Sequence, residues 1–300
     1  MDSSKAPPSY DEIGPPGGPP PSKTANPHET AWQAIPDTAL LPPPPMEGYR
    51  DSPMNNAPED DAVRAHDWCH QHPLIAPLNL LPQDIARIRA GRIQLLRPQE
   101  LRGQLLSRQS DDFAGSWKIL SLPRCGDCAI KTSFPLYSAS AAAQNDLSQR
   151  LVYFEVQIVN LGPASGFGMG FVAAPYPSWR LPGWERGGLG VHSDDGRKYV
   201  NDTWGGKDFT APFRAGERVG IGMRFSGGRD DVRVFFTRGG KEIGSWEVHE
   251  ERDAEYDVGP YGTHVEGLEG RHDLYGCVGV FEGVDLEVFF ERKDWLWRPT

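Results

Sequence analysis

A recurring two-residue period of large apolar residues constrains the fold of this chain more than any other feature. The pattern fills residues 151–160 and recurs in three further segments, 217–225, 231–238 and 285–290. A period of two residues places successive side chains on opposite faces of a β-strand, so each segment is predicted to be a strand with one buried face. Glycine-rich turns separate the segments, and several short strands of this kind predict an all-β, antiparallel β-sandwich. The residues predicted to face its interior are Phe154, Val156, Ile158, Val219, Ile221, Val234, Phe236, Val280 and Val288.

The N-terminal residues, from 1 to about 65, differ in composition from the rest of the chain. They contain more than half of its 28 prolines, and their few large apolar residues follow no period. Such a segment cannot bury enough apolar surface to offset the entropy lost on ordering, so we predict a disordered, proline-rich arm. Residues 66–112 are predicted to be a lead-in that packs on the sandwich, and residues 113–300 are assigned to the sandwich itself. Within the lead-in, prolines near a first turn and short apolar stripes predict two helices, at 82–89 and 98–107.

The net charge and the cysteines exclude some classes of function. The chain has a formal net charge of −10 and a pI near 5.3, and it shows no cluster of Lys and Arg. This charge argues against nucleic-acid binding, because phosphate contacts need a basic surface. The N-terminus lacks the apolar stretch of a signal peptide, and no run approaches the roughly 20 apolar residues that span a bilayer. We therefore expect a cytoplasmic protein whose cysteines are reduced.

Two short patterns have the residue types of a chemical site. Cys125 and Cys128 have the spacing of a metal knuckle or a redox pair, and Cys69 and His72 would complete four zinc ligands if the lead-in folds back. The alternative is a chance occurrence of the pair, and we expect no metal and no cofactor. Residues 192–194 read His-Ser-Asp, but neighbouring side chains diverge along a strand and cannot form a catalytic relay. The chain is therefore predicted not to be an enzyme.

The arm contains one docking motif, Pro7-Pro8-Ser9-Tyr10. It matches the PPxY pattern of WW-domain ligands, in which an extended proline ridge enters an aromatic groove and the tyrosine fills a second pocket. Pro7, Pro8 and Tyr10 are therefore the predicted WW-binding residues. The alternative is a chance match within proline-rich sequence. Acidic residues follow the motif and serines precede it, so we expect it to be polar and accessible.

Several ordered blocks of the sequence resemble a known family. The middle block reads Arg-Leu-Pro-Gly-Trp-Glu at 180–185 and continues as Leu-Gly-Val-His-Ser-Asp-Asp-Gly at 189–196. Further blocks keep the same order along the chain, at 153–156, 166–171, 216–223, 234–240 and 274–280. Together they resemble SPRY domains, in particular the branch with Ran-binding protein M and the fungal SPRY adaptors of WW-domain ubiquitin ligases. The resemblance covers roughly residues 113–297 and implies a SPRY-type sandwich.

In SPRY domains, loops at one end of the sandwich form the ligand surface. The corresponding loop residues here are Tyr176, Trp179, Arg180 and Trp204, which we predict to bind a partner protein. Tryptophan, tyrosine and arginine dominate the binding energy of protein interfaces, so these residue types fit such a surface. The alternative is that the aromatic side chains cover the edge of the sandwich itself.

The resemblance and the PPxY motif together imply a non-catalytic adaptor for ubiquitin-dependent protein sorting. The arm would recruit a WW-domain HECT ubiquitin ligase, and the SPRY loops would recruit a cargo protein. Such an adaptor is expected in the cytoplasm and, through its partners, at endosomal or vacuolar membranes. The alternative is a recognition subunit of a larger complex, with the SPRY domain as sole binding module and a fortuitous Pro-Pro-Ser-Tyr.

Overall fold

The structure, a computed structural model, describes residues 57–108, 115–203, 205–226, 231–250 and 265–299. The predicted disordered arm and its Pro-Pro-Ser-Tyr motif therefore lie outside the described residues, apart from the last few residues before position 65. Within the described ranges, no helix combines the length and the apolar character that a bilayer crossing requires.

The described elements are three helices and twelve strands. The helices are α1 (Glu59–Gln71), α2 (Pro82–Arg89) and α3 (Ala139–Ala143). The strands are β1 (Gly103–Ser107), β2 (Ser116–Ser121), β3 (Cys128–Lys131), β4 (Leu151–Leu161), β5 (Gly166–Ala173), β6 (Gly188–His192), β7 (Lys198–Val200), β8 (Arg218–Phe225), β9 (Val232–Arg238), β10 (Lys241–Glu247), β11 (Leu274–Phe281) and β12 (Val284–Phe289).

The strands form two antiparallel sheets that pack as a sandwich, as the alternation predicts. One sheet has seven strands in the order β1-β2-β12-β4-β8-β9-β10, and the other has five in the order β3-β11-β5-β6-β7. The register aligns inward side chains across neighbouring strands, so that Val156 lies opposite both Val288 and Val219. All nine residues predicted to face the interior are fully buried, which confirms both the strands and their register.

The lead-in is only partly as predicted. Helix α2 has the predicted bounds, and proline occupies its first turn, where the missing N–H costs no hydrogen bond. The predicted helix at 98–107 is wrong, because Gly103–Ser107 is strand β1 and pairs with β2 at the edge of the larger sheet. Leu101, Leu105 and Leu106 gave an apolar stripe, but so short a run fits a strand equally well, and pairing with β2 decides the outcome.

Helix α1 was not predicted, and it crosses the boundary expected near residue 65. Its first turn carries Glu59, Asp60 and Asp61, whose negative charges interact favourably with the positive end of the helix dipole. Ala65 and Cys69, four residues apart, form its buried side. The proline-rich composition therefore ends before Glu59, and a short helix stands between it and the sandwich.

Candidate functional site

The loop at 174–187 joins β5 to β6 and is held by an ion pair inside the protein. Nε of Arg180 donates to Oε1 of Glu185 at 2.8 Å, and both side chains are almost completely buried. Burial raises the pKa of Glu185, and the facing Arg180 guanidinium counteracts part of that rise. The guanidinium also lies 4.4 Å from the ring centroid of Trp184. Separating a buried ion pair would leave an uncompensated charge in the interior, so this pair holds the loop in its conformation.

Tyr176 braces the same loop from within. Its hydroxyl donates to the carbonyl of Leu181 at 2.6 Å and accepts from the backbone N–H of Glu185 at 3.2 Å. Burial raises the pKa of Tyr176 well above its ordinary value, so the hydroxyl keeps its proton and stays a donor. The structure thus places Tyr176 and Arg180, two predicted partner-binding residues, in the interior, where they shape the loop and do not face solvent.

Trp179 is the predicted loop residue that remains partly exposed. Its ring is approached by helix α1: the Arg64 guanidinium lies 4.1 Å from the ring centroid, and Trp68 lies edge-on with centroids 6.0 Å apart. Trp179 Nε1 also donates to the carbonyl oxygen of Asp61 at 3.4 Å. The indole is therefore held in a defined position and presents a surface of the residue types that dominate protein binding.

The structure does not describe the other predicted binding residues. Trp204 lies outside the described residues, and so do Pro7, Pro8 and Tyr10. Their roles stay predictions.

The turn after β6 supports the loop through a second buried group. His192 Nε2 lies 2.9 Å from the carbonyl oxygen of Pro182, and its ring stacks on Tyr199 with centroids 4.1 Å apart. Burial lowers the pKa of His192, and the Tyr199 hydroxyl donates to Asp195 Oδ2 at 2.7 Å. Ser193 Oγ accepts the backbone N–H of Phe167 at 2.9 Å. These side chains serve the loop and the sheet, and no relay from histidine to serine is formed among them.

Asp127 adds an acidic group beside the loop. Burial raises its pKa to about 7; the Arg180 charge opposes the rise, and Asp61, Cys125 and Asp194 add to it. Asp61 belongs to α1, so the helix brings a carboxylate toward a group that already resists ionisation. The candidate surface is thus the aromatic face of Trp179, with Asp127 as a largely buried acid beside the loop.

The cysteines do not form the four-ligand site considered from the sequence. Across the described residues, no three side chains of His, Cys, Asp or Glu come together as metal ligands, so Cys69 and His72 do not join Cys125 and Cys128. All four cysteines of the chain are free and buried. A hydrogen bond from Cys128 lowers the pKa of Cys125 to about 6, and the same bond raises the pKa of Cys128.

Three residues of this region were missed in the sequence: Arg64 and Trp68 on helix α1, and Arg186 in the loop. Arg186 Nη2 donates to the carbonyl oxygens of Cys69, at 3.4 Å, and His72, at 2.7 Å, which end helix α1. The signal that could have found the helix is the run of three acids after Pro58, followed by apolar residues at helical spacing.

Comparison with known proteins identifies a known domain that includes this loop. The family profile of the SPRY domain matches residues 151–272. SPRY domain-containing protein 3 of Homo sapiens is 34% identical over 154 residues, covering 51% of this chain and 34% of that protein. The Ran-binding proteins 9/10 homolog of Drosophila melanogaster is 22% identical over 206 residues, covering 67% of this chain and 20% of that protein. Protein ssh4 of Neosartorya fischeri is 29% identical over 117 residues, 39% of this chain and 20% of that protein. The chain thus spans about a third or less of the length of these relatives.

Proposed function

We propose that this chain, which contains a SPRY domain, is a non-catalytic adaptor that binds a cargo protein through the loop carrying Trp179. SPRY domains are protein-interaction modules, and the domain profile matches residues 151–272. The observation that carries the proposal is the contrast within the loop: Arg180 and Glu185 are buried to fix its path, while Trp179 is left partly exposed. A rigidly held aromatic side chain is the usual anchor of a protein interface.

The second half of the proposal concerns the Pro-Pro-Ser-Tyr motif. We propose that Pro7, Pro8 and Tyr10 recruit a WW-domain HECT ubiquitin ligase and that the adaptor supports ubiquitin-dependent sorting of its cargo. Two features support this: the motif lies in proline-rich sequence, and protein ssh4 is among the relatives of the SPRY region. A cytoplasmic location, with access to endosomal or vacuolar membranes through partners, belongs to the same proposal.

The ligase half is tested by titrating a fluorescent peptide of residues 1–20 against isolated WW domains of HECT ligases. The wild-type peptide should bind, and the Tyr10→Ala peptide should lose measurable binding because the tyrosine pocket is left empty. A Glu12→Gln peptide is the matched control and should bind like the wild type. Equal binding of the Tyr10→Ala and wild-type peptides would leave the alternative, a recognition subunit whose SPRY domain is the sole binding module.

The cargo half is tested by proximity labelling with the full chain. Trp179→Ala should remove a set of labelled proteins that Tyr10→Ala retains, because the two changes affect separate binding sites. Ile243→Ala is the control, since this exposed residue on β10 lies outside the loop. If Trp179→Ala labels the same proteins as the wild type, the cargo site lies elsewhere on the sandwich.

A further inference from the structure

Helix α1 occupies the exposed side of the candidate surface. Arg64 and Trp68, one helical turn apart, both contact the Trp179 ring, and the Asp61 carbonyl accepts its Nε1–H. An arginine over an indole and a second indole at its edge are contacts that proteins use to recognise one another. The partly exposed anchor of the loop is thus engaged by a segment of its own chain.

The far end of the helix is held by a second basic group of the same loop. Arg186 Nη2 donates to the carbonyl oxygens of Cys69 and His72, where the negative end of the helix dipole favours a cation. Nε and Nη1 of Arg186 are also buried, and within the described part of the chain they have no hydrogen-bond partner. The loop therefore contacts helix α1 at two points: Trp179 contacts Arg64 and Trp68, and Arg186 contacts the C-terminal end.

The attachment of α1 is nevertheless slight. Of its 13 residues only Ala65 and Cys69 are buried, and Val63 is 56% exposed. No side chain caps its N-terminus, and the charge of Asp61 helps to raise the pKa of Asp127. A helix of this length is marginal in water without tertiary contacts, so its order depends on the loop. Segments with few buried apolar contacts open at a small fraction of the free energy of global unfolding.

We propose that α1 is a displaceable intramolecular ligand of the Trp179 loop, and that cargo replaces it with an amphipathic helix carrying an arginine and an aromatic residue four positions apart. The chemistry of the cargo follows from α1 itself, where Arg64 and Trp68 have this spacing and contact the ring that the loop presents. This inference rests on the proposed function, in that it takes the Trp179 loop as the cargo site.

Tethering gives α1 an advantage that a cargo helix must overcome. The helix joins the sandwich through a few residues, because Ile75 already donates to the carbonyl of Ala174 at 3.0 Å. A ligand on so short a tether has an effective concentration in the millimolar range. The apparent affinity of any competing helix equals its intrinsic affinity multiplied by the fraction of molecules whose loop is open, so it is low when α1 is mostly bound. Weakening α1 alone should therefore strengthen binding in trans.

The test uses a fluorescein-labelled peptide of residues 57–73 and the full chain. Wild type should bind the peptide weakly, and the double variant Arg64→Ala/Trp68→Ala should bind it at least about tenfold more tightly, since its own helix no longer competes. The double variant Val63→Ala/Asp67→Ala changes two exposed residues of the same helix and should behave like the wild type. Adding Trp179→Ala to the first double variant should abolish the gain.

Two results would overturn the inference: equal affinity of wild type and the Arg64→Ala/Trp68→Ala variant, or a gain that persists without Trp179. Melting curves establish that each variant is folded. Hydrogen exchange on the wild type gives an independent measurement, in which amides of α1 should exchange at least about 100-fold faster than those of β4; equal protection would show that α1 does not open. The assay contains neither cargo nor ligase, so its failure is distinct from a failure of the proposed function.

Discussion

Of the three predicted binding residues in the loop, Tyr176 and Arg180 are buried and hold its conformation, whereas Trp179 is partly exposed. The sequence singled out Tyr176, Trp179 and Arg180 by residue type alone, and composition could not separate them. Arg180 carries a charge, so exposure was the simpler expectation, but its buried partner Glu185 five residues later offsets the cost of burial. Trp179 has no such polar partner in the loop and stays partly exposed. Whether a residue of the loop is buried depends on its partners across the loop, and no local sequence pattern encodes such pairing.

Asp127 should make stability depend on pH. Its pKa is raised from 3.8 to about 7 in the folded chain, chiefly by burial, so folding favours the neutral acid. Stability from this group is complete below the unfolded pKa and is lost as pH rises toward 7. Asn at this position stays neutral. The melting temperature of Asp127→Asn should therefore exceed that of wild type by a margin that grows from about pH 4 to pH 7 and levels off above pH 7.

The control for Asp127 is Asp208→Asn, whose side chain is 93% exposed where it meets Arg197. Its melting temperature should follow wild type at every pH in a scanning fluorimetry series. A constant margin for Asp127→Asn across the same range would show that the carboxyl does not titrate in this window.

Phe236 tests the register of the core. It is fully buried on β9, its ring stacks on Phe213 with centroids 5.4 Å apart, and Phe209 lies edge-on at 6.0 Å. Phe236→Ala should lower the free energy of unfolding in urea by about 3–5 kcal/mol, through lost apolar burial and the cavity left behind. Ile243→Ala, on the neighbouring strand and 47% exposed, should cost under about 1 kcal/mol. A cost that small for Phe236→Ala would contradict its place in the core.

At the scale of elements, the longer strands were predictable from their apolar period, and short edge elements were not. The segments at β4, β8, β9 and β12 carry large apolar residues with a period of two, and the structure confirms each strand within a residue or two. By contrast, β1 has five residues, and its strand conformation comes from pairing with β2, which lies outside any local window. Helix α1 was not predicted, because the proline-rich composition before it placed the expected boundary of the arm near residue 65.

The C-terminal segment is fixed to the larger sheet by one buried carboxylate. Glu155 on β4 is 1% exposed and accepts from Arg218 Nε at 2.7 Å and from Tyr153 Oη at 2.9 Å. It also accepts the backbone N–H groups of Leu296 and Trp297, each at 2.9 Å. The segment thus closes the outer face of the sheet, with Trp297 packed on Tyr153 and Phe235.

Glu155→Gln should remove this closure. An amide offers one acceptor oxygen and no charge, so Arg218 loses its ion pair, and the two donors that face the new NH2 group are left unsatisfied. We expect the free energy of unfolding to fall by about 3 kcal/mol, and tryptophan fluorescence to report early release of the segment. Glu287→Gln on β12 is the control, because its ion pair with Arg108 is partly exposed and should contribute under about 1 kcal/mol. Equal effects of the two substitutions would contradict a special role for Glu155.

At the scale of the whole molecule, α1 stands between the arm and the sandwich. If the arm is flexible, as its composition predicts, the chain from Tyr10 to Glu59 spans about 40 Å on average. A cargo that displaces α1 would add the residues of the helix to that tether, and so extend the reach of a ligase bound at the motif. The position of the helix in the sequence thus couples the two proposed binding sites.

Two deletions separate the contributions of the arm and of α1 to stability. Removing residues 1–56 should leave the melting temperature within about 2 °C of the full chain, because the arm lacks the apolar period of a packed element. Removing residues 1–72 also deletes Ala65, Cys69 and the contacts on Trp179, which we expect to contribute about 1–2 kcal/mol. For a domain of this size that corresponds to a melting temperature lower by roughly 2–8 °C. If the shorter deletion alone produced such a drop, the arm would have to pack on the domain, whereas a far larger drop for the longer deletion would mean that α1 belongs to the core and is not displaceable.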